Sequence, residues 1–228
     1  MPKRGMQRSI LCNQIAACRL CPRLVRYRES VKPAKRFASW KYWHKPVPGF
    51  GDREARILIL GLAPSAHGGN RTGRVFTGDP SGDFLFNAIY KAGMSNQNMS
   101  RDMNDGLVLR DVYVSAAVKC APPDNKPKEA EAKRCITTFL IKELDALKNV
   151  KVIVALGSFA LSWLGYALDR MGVDTSEIED FSHGNVHMAG SYRILVSYHV
   201  SPRNTNTGKL TEAMFVELLN KAKELAGE

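Results

Sequence analysis

The chain has 228 residues, 44% of them hydrophobic and 24% charged, with a formal net charge of +11. Such a length can bury a sizeable core in one domain, or in one domain with an N-terminal extension. The sequence shows no signal peptide, no apolar run long enough to span a membrane, no internal repeat and no low-complexity tract, which sets aside membrane-spanning and repeat architectures.

The charge is unevenly placed. Residues 1–56 carry fourteen Lys or Arg against three acids, so the whole excess of +11 sits there, while residues 57–228 balance nineteen against nineteen. A basic arm of this kind attracts polyanions, most often nucleic acid. Tyr27, Phe37, Trp40, Tyr42 and Trp43 are interleaved with the charge, and rings can stack on bases. They can equally be core residues.

The same arm opens on a C-x2-C pair, Cys18 and Cys21, followed by Pro22. Cys120 and Cys135 lie about a hundred residues later, while Cys12 has no partner spacing and reads as a bystander. A short turn lets paired thiolates face one metal or cluster. Two distant cysteines closing that site would staple the arm to the middle of the fold. Zinc and iron–sulfur compete for it. Paired zinc motifs repeat a short spacing, whereas the wide second pair suits a bulkier cubane. Two unrelated buried thiols are the plainer alternative. Thiol ligands without a secretion signal fit a reducing cytoplasm.

Residues 31–55, with Pro33, Pro46, Pro48, Gly49 and Gly51, predict an irregular stretch. Beyond them strands and helices alternate. Arg56–Leu60 is a short apolar strand closing on Gly61. Phe84–Tyr90 opens a helix, with Asp83 placed to begin or cap it. Val112–Val118 is a second strand, ending before Cys120. Ile136, Phe139, Leu140, Leu144 and Leu147 share one helical face. Val150–Leu156, closed by Gly157, and Tyr192–Tyr198, ending at His199, are the third and fourth strands. A last helix starts near Thr211. Near-continuous apolar strands between helices indicate an α/β protein with a parallel sheet covered on both faces.

In such folds the working site lies at the carboxyl ends of the strands. Two polar segments fall there, Gly61–Asp79 and His199–Gly208. The first is neither a P-loop, lacking the terminal Gly-Lys-Ser/Thr, nor a G-x-G-x-x-G fingerprint. Read by spacing alone, both loops say only that a polar site tops the sheet.

Taken together, GLAP…HGGNRTGRVFTGD after the first strand, KCAPP after the second and H-x-SPRN-x-NTG after the fourth resemble the uracil-DNA glycosylases, most closely family 5 (type b). The C-x2-C-P-R-L-V opening and P-V-P-G-F-G-D at 46–52 extend the resemblance over nearly the whole chain. It implies a single three-layer α/β/α domain with a central four-stranded parallel sheet. It also implies a 4Fe–4S cluster on Cys18, Cys21, Cys120 and Cys135 tying down residues 1–56, and excision of deaminated bases from DNA. The expected enzyme is a monofunctional, monomeric repair glycosylase in the cytoplasm, nucleoid-associated in a prokaryote.

Cleaving an N-glycosidic bond leaves positive charge on the sugar and negative charge on the departing base. A donor aimed at the base's carbonyl oxygen stabilises that anion, and His199 is the candidate. The base must leave the stack to be reached. Phe76 then supplies the stacking face within a pocket that includes Gly61 and Ala63, while Ser201, Pro202 and Arg203 enter the minor groove and fill the gap. Other branches carry Asp, Asn or Glu where this chain has Ala63, so another group must place the water. Asn70 is the favoured candidate and Asp79 its rival. Other branches also end the second strand with an Asn that reads uracil, where this chain has Ser115-Ala116-Ala117. The missing amide predicts relaxed specificity, extending to hypoxanthine. The competing readings are a non-catalytic iron–sulfur nucleic-acid-binding protein and an electron-transfer protein.

Overall fold

The structure, a computed structural model, describes residues 4–227, with side chains from Ile10 onward. Its frame is one six-stranded sheet in the order β1-β3-β2-β4-β6-β5. The inner strands β2 (Ile57–Gly61), β3 (Val112–Ala116), β4 (Val152–Leu156) and β6 (Tyr192–Ser197) are the predicted ones, each trimmed or shifted by a residue or two. All run parallel, with Ile57 beside both Val112 and Val152, and Val152 beside Arg193. Two short antiparallel strands that the sequence did not announce, β1 (Phe50–Gly51) and β5 (Val186–Ala189), close the edges.

Alternate side chains of the inner strands face opposite ways, and both faces are apolar. One face packs Ile57, Ile59, Val112, Val114, Val152, Val154 and Leu195 against α4 (Pro80–Lys91) and α9 (Glu212–Gly227) through Leu85, Phe86, Ile89, Phe215 and Leu219. The other sets Leu58, Leu60, Ile153, Ala155, Ile194 and Val196 against the helix spanning α5 (Glu129–Cys135) and α6 (Ile141–Ala146), and against α7 (Ser158–Arg170). This is the expected α/β/α sandwich. Between α5 and α6 the helix widens into a π-turn over Ile136–Leu140.

The N-terminal segment begins with α1 (Arg4–Ala17) and α2 (Pro22–Ser30). Residues 31–49 are irregular apart from one turn of 3-10 helix at Lys35–Phe37. Backbone bonds seat this stretch on the core. Trp43 N–H donates to Arg71 O (3.0 Å), His44 N–H to Asn70 O (3.1 Å) and Val47 N–H to Lys119 O (2.7 Å). The arm's aromatics serve this seating. Phe37 and Trp40 flank the Arg71 guanidinium at 3.8 and 4.2 Å, Tyr42 is buried on His67, and the Trp43 indole donates to Pro46 O.

Lys119 carries the second anchor. Its side chain and that of Glu143 are 1% and 4% exposed, and the two form an ion pair. The ammonium also donates to Ser115 Oγ (2.8 Å) and Ala116 O (2.7 Å), while Glu143 accepts the Gly49 N–H at 3.1 Å. A buried charge pair tolerates desolvation only when its remaining donors and acceptors are met, and here β3 supplies both further acceptors for the ammonium, while Ser115 and the arm's Gly49 donate to the carboxylate.

Candidate active site

The strand order reverses direction at β2, whose chain continues to β3 on one side and later returns to β4 on the other. Ligands bind at the carboxyl ends of strands flanking such a switch point. A cavity of about 500 Å³ opens there. Its walls come from the segments after β2 (Leu62–Ser65, Phe76, Asp79, Ser81), after β4 (Leu156–Phe159) and after β6 (Tyr198, His199, Ser201, Pro202).

Phe76 forms an aromatic wall and is held there by its backbone. Its φ is +51°, a left-handed conformation that side chains rarely adopt and that the surroundings must impose. Two glycines make it possible. A Cβ on Gly61 would stand 2.5 Å from Phe76 Cζ, and one on Gly82 would collide with the Phe76 carbonyl. Gly61 thus acts beneath the ring and does not itself line the cavity.

His199 reaches the cavity from the end of β6, its ring 6.4 Å from that of Phe76. Burial pushes its pKa below the ordinary value, with Asp79 pulling weakly the other way. Near neutral pH the imidazole is therefore uncharged and carries one N–H to donate. The Asn204 amide donates to the His199 carbonyl at 2.8 Å, fixing the turn.

Asp79 lines the same cavity. It, and not Asp83, caps α4: Oδ1 accepts the Gly82 N–H at 3.0 Å, in the arrangement that satisfies an orphan helix donor. Proline at the first helical position favours that start, which places the helix four residues earlier than its apolar pattern suggested. Oδ2 accepts from Ser65 Oγ, which in turn accepts the Gly68 N–H. A carboxylate has about four acceptor sites, so this one keeps capacity for a further donor.

The structure brings Ala63, Phe76, Asp79, His199, Ser201 and Pro202 together. Asn70 stands apart, which corrects its favoured place as water-positioning group. It is 1% exposed and its amide donates to Arg28 O at 3.1 Å, tying the glycine loop to α2 behind the cavity wall. Arg203 is exposed on the short helix α8 (Pro202–Thr205), outside the cavity lining. Sequence reasoning missed Tyr198, Phe159, Phe181, Asn125 and Lys209, all lining residues. Tyr198 directly precedes His199, a signal that could have been used; Phe159 opens α7 and the others come from turns and irregular segments with no pattern of their own.

The four cysteines line one small recess with Leu20, Leu24, Val25, Pro46, Val118 and Phe139. The Lys119 N–H points at Cys135 Sγ (3.3 Å), and the buried Arg28 donates to Cys18 O (3.2 Å). Burial pushes the Cys120 and Cys135 thiols up to about 12. A metal's own charge reverses that preference, since a coordinating thiol is deprotonated outright. Four sulfurs, an N–H···S bond and flanking cations are a donor set suited to a metal–sulfur group. Among the described residues, no three Cys, His, Asp or Glu side chains are gathered tightly enough to hold a single ion.

Fold and cavity together define an α/β/α protein with a pocket at the topological switch point of its sheet. The sequence pattern of the uracil DNA glycosylase superfamily matches residues 48–223. The chain is 50% identical to the type-5 uracil-DNA glycosylase of Thermus thermophilus over 224 residues, 97% of this chain and 100% of that one. It is 46% identical to the type-5 enzyme of Pyrobaculum aerophilum, covering 94% and 92%. Similarity to the type-4 uracil-DNA glycosylase of Thermotoga maritima is lower, 29% over 78% and 81%. The chain belongs to the uracil DNA glycosylase superfamily, on its type-5 branch.

Proposed function

We propose that this protein is a DNA repair glycosylase that flips uracil out of DNA and hydrolyses its N-glycosidic bond, leaving an abasic site. The observation that carries the reading is the meeting of a half-buried imidazole, uncharged near neutral pH, and a carboxylate in one switch-point cavity walled by Phe76. The relatives' identity as uracil-DNA glycosylases supports it.

The chemistry follows from the residues. The base enters against Phe76, and stacking there offsets part of the unstacking cost, on the order of a few kcal/mol. As the bond lengthens, charge accumulates on the base carbonyl oxygen, and the His199 N–H stabilises it; an uncharged donor does so without protonating the base. Asp79 supplies negative charge for the oxocarbenium-like sugar and an acceptor for the attacking water. Its bonds to Gly82 and Ser65 fix its direction, so little reorganisation is needed at the moment of reaction. Ser201, Pro202 and Arg203 hold the gap in the duplex.

The substrate range is proposed to extend to hypoxanthine and other deaminated bases. The cavity is roomy for one pyrimidine, and the strand-end positions Ser115, Ala116 and Ala117 offer no amide to read uracil. Ser115 is instead bonded to Glu143 and Lys119, and none of the three lines the cavity.

Cys18, Cys21, Cys120 and Cys135 are proposed to hold a 4Fe–4S cluster. When bound it supplies cross-linking between α2, the segment after β3 and α5, and so keeps the basic arm of residues 1–56 on a single-domain, monomeric enzyme. Iron and sulfide analysis tests this directly: about four irons per chain supports it, while one zinc overturns it. The function is tested by base release from matched oligonucleotides carrying uracil or hypoxanthine, with wild type and His199→Ala compared. Release that collapses in the variant while DNA binding persists supports the reading. No release from either substrate, with tight binding retained, leaves a non-catalytic DNA-binding protein.

A further inference from the structure

Lys209 is the only Lys or Arg among the described residues that line the cavity. It is exposed, and no carboxylate among those residues lies within ion-pairing distance of it. Its ammonium is nevertheless held in place, 4.5 Å from the centroid of the Tyr198 ring. That ring is fixed in turn. His183 stacks on it at 5.0 Å and 11°, and His183 Nδ1 accepts the Tyr198 N–H at 3.2 Å. Tyr198 and Lys209 therefore clip the two ends of the loop that carries Ser201, Pro202 and Arg203. The Leu210 N–H donating to Asn204 O (3.1 Å) keeps that clip in register with His199.

A cation serving the leaving base would sit deep in the cavity. One serving an anion outside it would sit exposed at the mouth, pre-oriented and without a carboxylate partner. Nucleic acid offers such an anion at every nucleotide. We propose that Lys209 is a positioning residue that binds the backbone phosphate beside the flipped nucleotide and fixes the strand while the base is held against Phe76. The inference rests on the glycosylase reading above and adds to it the group that seats the strand.

The test compares wild type, Lys209→Met, which keeps the aliphatic stem, and Lys209→Arg, which keeps the charge. Binding is measured on a duplex carrying 2′-fluoro-2′-deoxyuridine across an about tenfold range of salt, and uracil release is measured under single turnover at saturating enzyme. Loss of one phosphate contact should reduce the slope of log K against log salt by about 0.9 and weaken binding about tenfold at low salt. The saturated release rate should stay within about twofold of wild type, as expected for a group that acts on binding, and Lys209→Arg should retain the slope. An unchanged slope in Lys209→Met overturns the proposal: with normal release Lys209 only clips the loop, and with slowed release it acts on the leaving base. Absence of uracil release by the wild type would instead remove the glycosylase reading itself, which separates the two failures.

Discussion

Replacing Gly61 with Ala adds one methyl group, and the structure says where it lands. The new Cβ would stand 2.5 Å from Phe76 Cζ and 2.8 Å from Cε2. Carbon atoms in contact prefer about 3.7 Å, so the ring must retreat by roughly 1.2 Å. It cannot do so by backbone adjustment alone, because Phe76 already sits at φ +51° with its carbonyl packed on Gly82. The retreat therefore carries the stacking face out of line with His199 and Asp79. A misplacement of about 1 Å costs on the order of a hundredfold in rate, and overpacking costs about 1–3 kcal/mol of stability. In a chain of this size that is a melting shift of roughly 2–12 °C. Single-turnover uracil release and thermal melting read the two effects. The double variant Gly61→Ala/Phe76→Ala removes the clashing ring, so it should be no less stable than Phe76→Ala alone; neighbours in contact are not additive. If Gly61→Ala keeps wild-type rate and melting temperature, or if the two changes simply add, Phe76 does not rest on Gly61 and the wall has been misread.

Asp79 and Asn70 should separate cleanly. Asp79→Asn retains a good helix cap and should cost little stability yet slow uracil release about a hundredfold, whereas Asn70→Ala should lower the melting temperature and leave the saturated rate nearly intact, since its amide bonds Arg28 behind the wall. Acid should weaken the fold through two half-buried histidines. His199 and His183 have folded pKa values below the ordinary 6.5, so as pH falls below 6.5 the unfolded chain takes up protons that the folded one refuses, and stability declines until the folded pKa is passed; urea unfolding on both sides of that value should show it, less steeply in His199→Ala. Lys119→Met leaves Glu143 buried without its cation and should cost about 3–5 kcal/mol in the same assay, while Lys119→Met/Glu143→Leu should recover much of that loss.

The parallel core was legible because each inner strand is a near-continuous apolar run ending at a glycine, a cysteine motif or His199, and burial on both faces produces that pattern. The cavity's chemistry was legible in part, since Phe76, Asp79 and His199 lie in the two loops that any such sheet would bring to its carboxyl edge. What escaped depends on contacts with no periodicity. Edge strands β1 and β5 hold two and four residues, too few to alternate visibly. Asn70 looked functional because it sits in a glycine loop, and only the packing of α2 shows its amide turned inward. The arm's rings read as base-stacking candidates, but Phe37 and Trp40 are spent on Arg71, an ordinary packing use of cation and ring that charge counting cannot see. Lys119 and Glu143 lie far apart in sequence, in a strand exit and a helix, and neither type is expected inside a core.

The π-turn at Ile136–Leu140 sets a helical phase. Cys135 and Glu143 are eight positions apart, which in an uninterrupted α-helix leaves their side chains roughly 80° apart around the axis. Absorbing one residue in the wider turn makes the interval behave like seven, and the offset shrinks to about 20°. One helix can then show both the sulfur and the carboxylate to Lys119, whose N–H meets the first and whose ammonium meets the second. Chain length within those five residues therefore matters more than their identity: one residue removed would let the helix close into plain α with the phase kept, whereas one residue added would swing everything beyond by about 100° and separate the sulfur recess from the ion pair that seats the arm.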